Sequence, residues 1–295
     1  MSKTKKAYLF ASFAILFWGT SASAFKIGLR HIDHFQLLFI ATLTSTVFLF
    51  LLLLFQKKLH LIKELNFKEY SKNILLGFLN PFVYYVVLFK AYSLLPAQVA
   101  QPLNFIWPIT LVLLSIPILK QKLKFKSILA LIISFLGVFL ISSEGNVFNM
   151  SFANPLGVIL ALGSSVIWAL FWLFNVKNKG DEIVQLFLNF LTAVIFIGIT
   201  TYLFSSLKIN SFKGISSGIY IGFFEMGITF VLWLKALKLS ERTDKISNLI
   251  YLTPFCSLIF ISIILHEKIF ITTFFGLILI ILGIFIQQAK RRIKT

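Results

Sequence analysis

The sequence predicts an all-α integral membrane protein with ten transmembrane helices arranged as two inverted five-helix repeats, and three observations predict it. Apolar residues make up 58% of the 295-residue chain and charged residues only 13%, against roughly 25% charged in an ordinary soluble domain. With a mean hydropathy of +0.92, a soluble globule of this size is excluded. The remaining charges are sorted by connection, and the two halves of the chain align with one another.

Uninterrupted apolar stretches fall at 7–28, 35–55, 74–94, 98–119, 127–143, 155–176, 183–206, 214–237, 246–265 and 271–289. Each is close to the roughly 20 residues that cross a bilayer as a helix. Isolated strands would leave backbone groups unpaired in hydrocarbon, and barrel strands are about half this length. In the first stretch Ala22, Ser23 and Ala24 imitate a signal-peptide cleavage site. The apolar run continues through Phe25, Ile27 and Leu29, so the first span is expected to remain uncleaved.

Lysine and arginine fix the expected orientation. One side carries Lys3, Lys5 and Lys6, then Lys57, Lys58, Lys63, Lys68 and Lys72, then Lys120, Lys122, Lys124 and Lys126, with Lys177, Lys179, Lys238, Arg242, Lys245 and the basic tail from Lys290. The other side has only Lys26, Arg30, Lys208, Lys213 and Lys268. The positive-inside rule then places both termini in the cytoplasm, in a prokaryotic plasma or inner membrane. The formal charge of +18 is thus a topology signal, and no nucleic-acid partner is expected; membrane lipid and a small-molecule substrate are. The oligomeric state is not legible.

The halves align at an offset of 145. Leu76–Leu94 lies over Ile221–Leu239, so that Gly77 matches Gly222, Lys90 matches Lys235 and Ala91 matches Ala236. After a slip of one residue, Pro108 matches Pro254 and Gly137 matches Gly283. The repeats run over 7–143 and 155–289. Five spans per half is an odd number, so the second half must insert upside down. Two such halves can exchange conformations around a midplane site, which points to transport; the rivals are an integral-membrane enzyme or a scaffold. The single Cys256 excludes an intrachain disulfide. His31, His34, His60 and His266 have no metal-ligand spacing. With no phosphate-binding Gly-rich loop or nucleophile–base arrangement, neither cofactor, metal nor enzymatic activity is expected.

The segments "FWGTSASAFK", "GFL…KAYSLLPAQ" and "HEKIFITTFFGLILIILGIFI" resemble the EamA family of the drug/metabolite transporter superfamily over nearly the whole chain. Within it, Pro96–Ser115, "PAQVAQPLNFIWPITLVLLS", is similar to the fourth-span box of the aromatic amino acid exporter branch. The resemblance implies ten helices around a cavity lined by spans 1, 3, 4, 6, 8 and 9, and export of metabolites, amino acids foremost. Efflux of cationic lipophilic compounds is the rival within transport. The chain departs from the family at Lys120-Gln121, where a Gly-Glu pair is common, while the second half keeps Glu267.

Glu225 is the one carboxylate well inside a span. Because burying a charge there is costly, it faces the cavity, a partner or a proton. Two roles stay open: a cavity carboxylate that meets a substrate ammonium or exchanges a proton, or a neutral acid bonded between helices. Its repeat mate is Asn80, and their i+4 neighbours Thr229 and Tyr84 also correspond, which predicts a polar stripe on each helix. Gln101, Asn104 and Pro108 recur at i, i+3 and i+7 on one face of the fourth span. Trp18, Trp107, Trp168, Trp172 and Tyr251 are candidate flat walls. Pro102, Pro108 and Pro254 are candidate kinks, and Lys90 and Lys235 candidate gating residues or interfacial anchors.

Overall fold

A computed structural model describes residues 2–118, 125–146, 154–175, 180–239 and 249–288. Every regular element among them is helical. The helices are α1 (Lys3–Leu29), α2 (His34–Phe55), α3 (His60–Lys63), α4 (Phe67–Gly77), α5 (Tyr84–Leu94), α6 (Ala97–Asn104), α7 (Trp107–Ile118), α8 (Phe125–Ser142), α9 (Pro155–Asn175), α10 (Glu182–Phe204), α11 (Phe212–Tyr220), α12 (Thr229–Leu239), α13 (Thr253–Leu265) and α14 (Ile271–Gln288). A kinked segment, Phe78–Val83, in which the Asn80 backbone is extended, joins α4 to α5, and a π-helical one, Ile221–Ile228, joins α11 to α12; a 3-10 turn, Leu249–Leu252, precedes α13. Among the described residues six helices are long and apolar enough to cross a membrane, and three shorter apolar helices accompany them. This is a multi-pass integral membrane protein. Lys120, Lys122, Lys124, Lys177, Lys179, Arg242, Lys245 and the tail from Lys290 lie outside the described residues.

The sequence starts these helices where it places caps. Asp33 accepts from Phe35 N and Gln36 N at 2.8 and 3.1 Å, and Asn66 and Glu69 form a reciprocal capping box. Asp181 accepts from Ile183 N and Val184 N at 3.0 and 3.3 Å, satisfying donors the first turn of α10 leaves orphaned. Lys58 also reaches Asp181, at 2.7 Å. Burial pushes the Asp181 carboxyl up, but the Lys58 ammonium and the helix N–H groups outweigh it and hold it below the ordinary carboxylate range. A carboxyl depressed by folding contributes stability that is complete above its unfolded value, near pH 4, and lost as pH falls through the folded one. Asp181→Asn keeps the cap and loses the charge. It is expected to lower the unfolding midpoint in detergent at pH 7 by an amount equivalent to a few tenths to about 1 kcal/mol, and the difference from wild type should shrink as pH falls below about 4 and vanish once the folded carboxyl is protonated.

Packing repeats itself in the two halves. A Cβ on Gly77 of α4 would overlap the Asn189 carbonyl oxygen of α10 and lie 2.9 Å from its Cα; one on Gly222 would overlap the Ala41 carbonyl oxygen of α2 and lie 2.7 Å from Thr44 Cβ. Under the 145-residue shift Gly77 becomes Gly222 and Thr44 becomes Asn189, so the two contacts exchange. Likewise a Cβ on Gly137 would lie 2.5 Å from Gly276 O, and one on Gly283 would lie 2.8 Å from Ala130 O. Under the 146-residue shift these also exchange. Since residue numbers rise on α8 as they fall on α14, these equivalent helices run antiparallel.

Candidate functional site

The cavity sits where the helices are irregular. Two irregular segments occupy matching places in the two halves: a kink at Asn80, whose extended backbone (φ −147°, ψ 122°) interrupts the helix, and a π-helical stretch that contains Glu225. A π turn admits about one extra residue, so positions four apart no longer share a face, and such turns recur at functional sites. The polar stripes expected from i+4 spacing are accordingly divided. Glu225 and Tyr84 line the cavity, whereas Asn80 and Thr229, both buried, do not. Thr229 Oγ1 instead donates to the Phe224 carbonyl five residues back.

The fourth span, expected as one helix over 98–119, is broken. α6 ends at Asn104 and α7 starts at Trp107, with Phe105 and Ile106 between them. Pro108, in the first turn of α7, lacks an N–H, which suits a helix start. In the second half Pro254 holds the same place in α13.

The cavity has a volume of about 440 Å³ and is lined from α1, α5, α6, α7, α9, the π segment, α12, the 3-10 turn and α13. These belong to the six spans the resemblance implies, and α14 adds Ile284. Glu225, 8% exposed, is held from two helices: Ser21 Oγ donates to one carboxylate oxygen and Tyr85 Oη to the other at 3.0 Å. Tyr84 Oη donates to Asn104 Oδ1 at 3.3 Å, and Asn104 Nδ2 donates to Ser164 Oγ at 2.7 Å. Gln101 also lines the cavity, and its amide oxygen has no partner.

Aromatic rings wall the space. Tyr84 packs on Trp168 at a centroid distance of 4.8 Å, Trp168 meets Trp172 at 6.0 Å, and Trp18 meets Trp233 at 5.5 Å. Trp107, Pro108 and Tyr251 complete the expected set at the wall, while Pro102, Pro254, Lys90 and Lys235 lie outside it. Pro102 and Pro254 are buried, Lys90 is half-buried and Lys235 is exposed. None of the described lining residues is Lys, Arg or His.

One end of the cavity is shut. Phe25 packs on Phe89 at 4.7 Å and on Tyr92 at 5.2 Å. Beyond them Lys26 Nζ donates to the carbonyls of Tyr92 and Leu95, each at 2.9 Å. Glu267 accepts from Ala97 N and Gln98 N, capping α6 from the other half of the chain at 3.3 and 3.4 Å. Gln98, buried, donates through Nε2 to Lys268 O at 2.9 Å and accepts through Oε1 from Phe270 N at 2.8 Å. This clasp joins the α5–α6 turn to the α13–α14 connection. At the other end the cavity reaches Leu111, Leu173 and Leu237.

Sequence reasoning missed Ser21 and Tyr85 as partners of Glu225, Ser164 as partner of Asn104, Trp233 as a wall, and the clasp. The matching of Pro108 with Pro254 was the one signal for the broken helices.

Two stretches of the chain, 5–143 and 155–287, match the model of the EamA-like transporter family. An "Uncharacterized transporter" of Archaeoglobus fulgidus is 26% identical over 97% of this chain and 100% of its own length. "Uncharacterized transporter YvbV" of Bacillus subtilis is 26% identical over 99% and 94%. A solved structure titled "Crystal structure of protein" shares the fold with a TM-score of 0.64, at 18% identity and 96% coverage of each chain.

Proposed function

This chain belongs to the EamA-like transporter family, and on that premise we propose that it is a secondary exporter of small organic metabolites, amino acids foremost, working by alternating access. Ten helices in two inverted repeats, over 7–143 and 155–289, form the carrier. The exchange of glycine contacts between halves and the antiparallel course of α8 and α14 support the inversion. Both termini lie in the cytoplasm, so the clasp shuts the outer side and the cavity extends toward the basic, inner one. The aromatic amino acid exporter branch is the finer reading, carried by the "LNFIWP" string of Leu103–Pro108.

The observation that carries the substrate reading is Glu225, a buried carboxylate in an aromatic-walled cavity. A carboxylate there suits an ammonium group, and the rings suit both an apolar body and a cation over their faces. Asn104, Gln101, Tyr84, Trp18, Trp107, Trp168 and Tyr251 share that cavity. Thr229 bonds to the irregular helix beside it, Asn80 is buried at the matching kink, and Pro102, Pro108 and Pro254 mark where helices bend. Lys90 and Lys235 act as anchors at opposite ends of equivalent spans. A second reading, efflux of lipophilic organic cations, is favoured by the absence of any basic side chain from the described lining.

The test is counterflow in proteoliposomes against amino acids, amines and nucleosides. Amino acid flux is the expected result; flux of organic cations alone favours the second reading, and flux of nothing removes both. Orientation is read separately in a background without Cys256. Lys268→Cys should react with an impermeant thiol reagent on intact cells and Lys58→Cys should not; the reverse pattern would turn the protein over.

A further inference from the structure

We propose that the cavity contains a carboxylate subsite, formed by Gln101 and Thr253 beside the starts of α7 and α13, so that with Glu225 it recognises a zwitterion. The inference rests on the transport reading above and names its substrate class from different residues.

α7 starts at Trp107 and α13 at Thr253, and both residues line the cavity. They are equivalent under the 146-residue shift. In inverted halves these helices run away from the middle of the membrane in opposite senses, so both amino ends converge on the middle. The aligned peptide dipoles make the amino end of a helix positive; Pro108 and Pro254 offer no N–H there, and Ile109 N is already bonded to Ile106 O at 2.9 Å, so the donors to an anion come chiefly from side chains. Oppositely directed half-helices meeting at the midplane are a recurrent way to hold an anionic group where no basic side chain is present.

The second observation is independent of helix geometry. Gln101 is 7% exposed and Thr253 is 2% exposed, and both belong to the cavity wall. Neither the Gln101 amide oxygen nor the Thr253 hydroxyl has a hydrogen-bond partner within the protein. Buried polar side chains are normally satisfied, so two orphans on one cavity wall, Thr253 at the start of α13 and Gln101 within α6, point to a bound group. Asn104 is not the free amide of this face: its oxygen accepts from Tyr84 and its nitrogen donates to Ser164. Gln101, one turn nearer the clasp, is. Its amide can turn to donate, and with the Thr253 hydroxyl it offers donors to a carboxylate beside the helix starts. Glu225, already bonded to Ser21 and Tyr85, offers its remaining lone pairs to an ammonium. The cavity is therefore polarised, with aromatic walls for the body of the solute.

The experiment compares phenylalanine with phenethylamine, the same molecule without its carboxylate, by counterflow of the purified full-length protein in proteoliposomes. The phenylalanine-to-phenethylamine rate ratio should exceed one for the wild type. It should fall about tenfold or more in Gln101→Glu, which replaces the free amide with a repelling charge, as expected for loss of one charge-assisted contact. The near-isosteric Thr253→Val should lower the same ratio, which covers the case in which the first variant fails to fold. A wild type that moves phenethylamine and not phenylalanine, or variants that slow both equally, would overturn the subsite and leave the amine-binding reading intact. A wild type that moves neither removes the parent reading, and the subsite with it.

Discussion

Glu225→Gln is expected to cut counterflow of an amine-bearing solute by roughly thirty-fold or more. Removing one partner of a buried, hydrogen-bonded charge pair costs about 2–5 kcal/mol, and each 1.4 kcal/mol is about tenfold in binding. Glutamine preserves shape, its oxygen accepting from one of the Ser21 and Tyr85 hydroxyls and its NH2 donating to the other, so a loss of flux in a well-folded variant isolates the charge. The same variant separates uniport from proton exchange. If Glu225 alternates between solute and proton, an imposed pH gradient drives flux in the wild type and not in the glutamine form. If both respond alike, proton movement lies elsewhere or is absent. An unchanged rate together with an unchanged pH profile would remove Glu225 from the mechanism and leave it a bonded acid between helices.

The second large effect is structural and tests the repeat itself. Gly77→Ala and Gly222→Ala each place a methyl group into the backbone of a neighbouring helix, at Asn189 and Ala41 respectively. A carbonyl oxygen fixed in a helix cannot swing aside as the tip of a side chain can. Overpacking of this kind costs about 1–3 kcal/mol and occasionally more, and here the upper end is expected. Both variants should lose most of their monodisperse peak by fluorescence-detected size exclusion, and by similar amounts, because the two sites are equivalent. Gly163→Ala is the control, since a Cβ at Gly163 meets nothing within 4 Å and alanine is the better helix former by about 1 kcal/mol. Tolerance of alanine at Gly77 but not at Gly222 would argue against equivalent halves.

Hydropathy located the spans because crossing a bilayer makes a demand on composition that a window of residues averages well. The helix starts at His34 and Glu182 fall within one residue of the expected 35 and 183, whereas α4 starts at Phe67, ahead of the expected 74, because Asn66 caps a polar turn that hydropathy does not register. The repeat survived in the pairs Gly77/Gly222 and Pro108/Pro254 because close approach and a helix start each restrict the residue type. Local backbone departures left a fainter trace: Pro108, a candidate kink, marked the break in the fourth span, and nothing marked the π turn. A window that averages over 98–119 passes across the break at Phe105–Ile106, and a π turn changes hydrogen-bond spacing without changing which residues are apolar. The stripe drawn through Glu225 and Thr229 at i+4 therefore failed across a segment where i+5 bonding rules. Partners far along the chain were out of reach for another reason: Ser21 and Tyr85 approach Glu225 only through tertiary packing, and nothing in their own neighbourhoods marks them. Glu267 was visible as a family feature, but its work as a cap on α6 became evident only when the two halves were seen together.

The clasp of Lys26, Gln98 and Glu267 bears on how the carrier saturates. Intramolecular hydrogen bonds contribute about 1 kcal/mol each, so this set biases the resting equilibrium toward the form sealed on that face. A binding-competent form populated only as a small fraction raises the apparent half-saturation concentration by the inverse of that fraction. Without an energy source, the quotient of maximal rate and half-saturation must still be equal in the two directions. The bias therefore creates no pumping; with the proposed orientation it would make a device that fills at low concentration from the cytosol and only at much higher concentration from the medium.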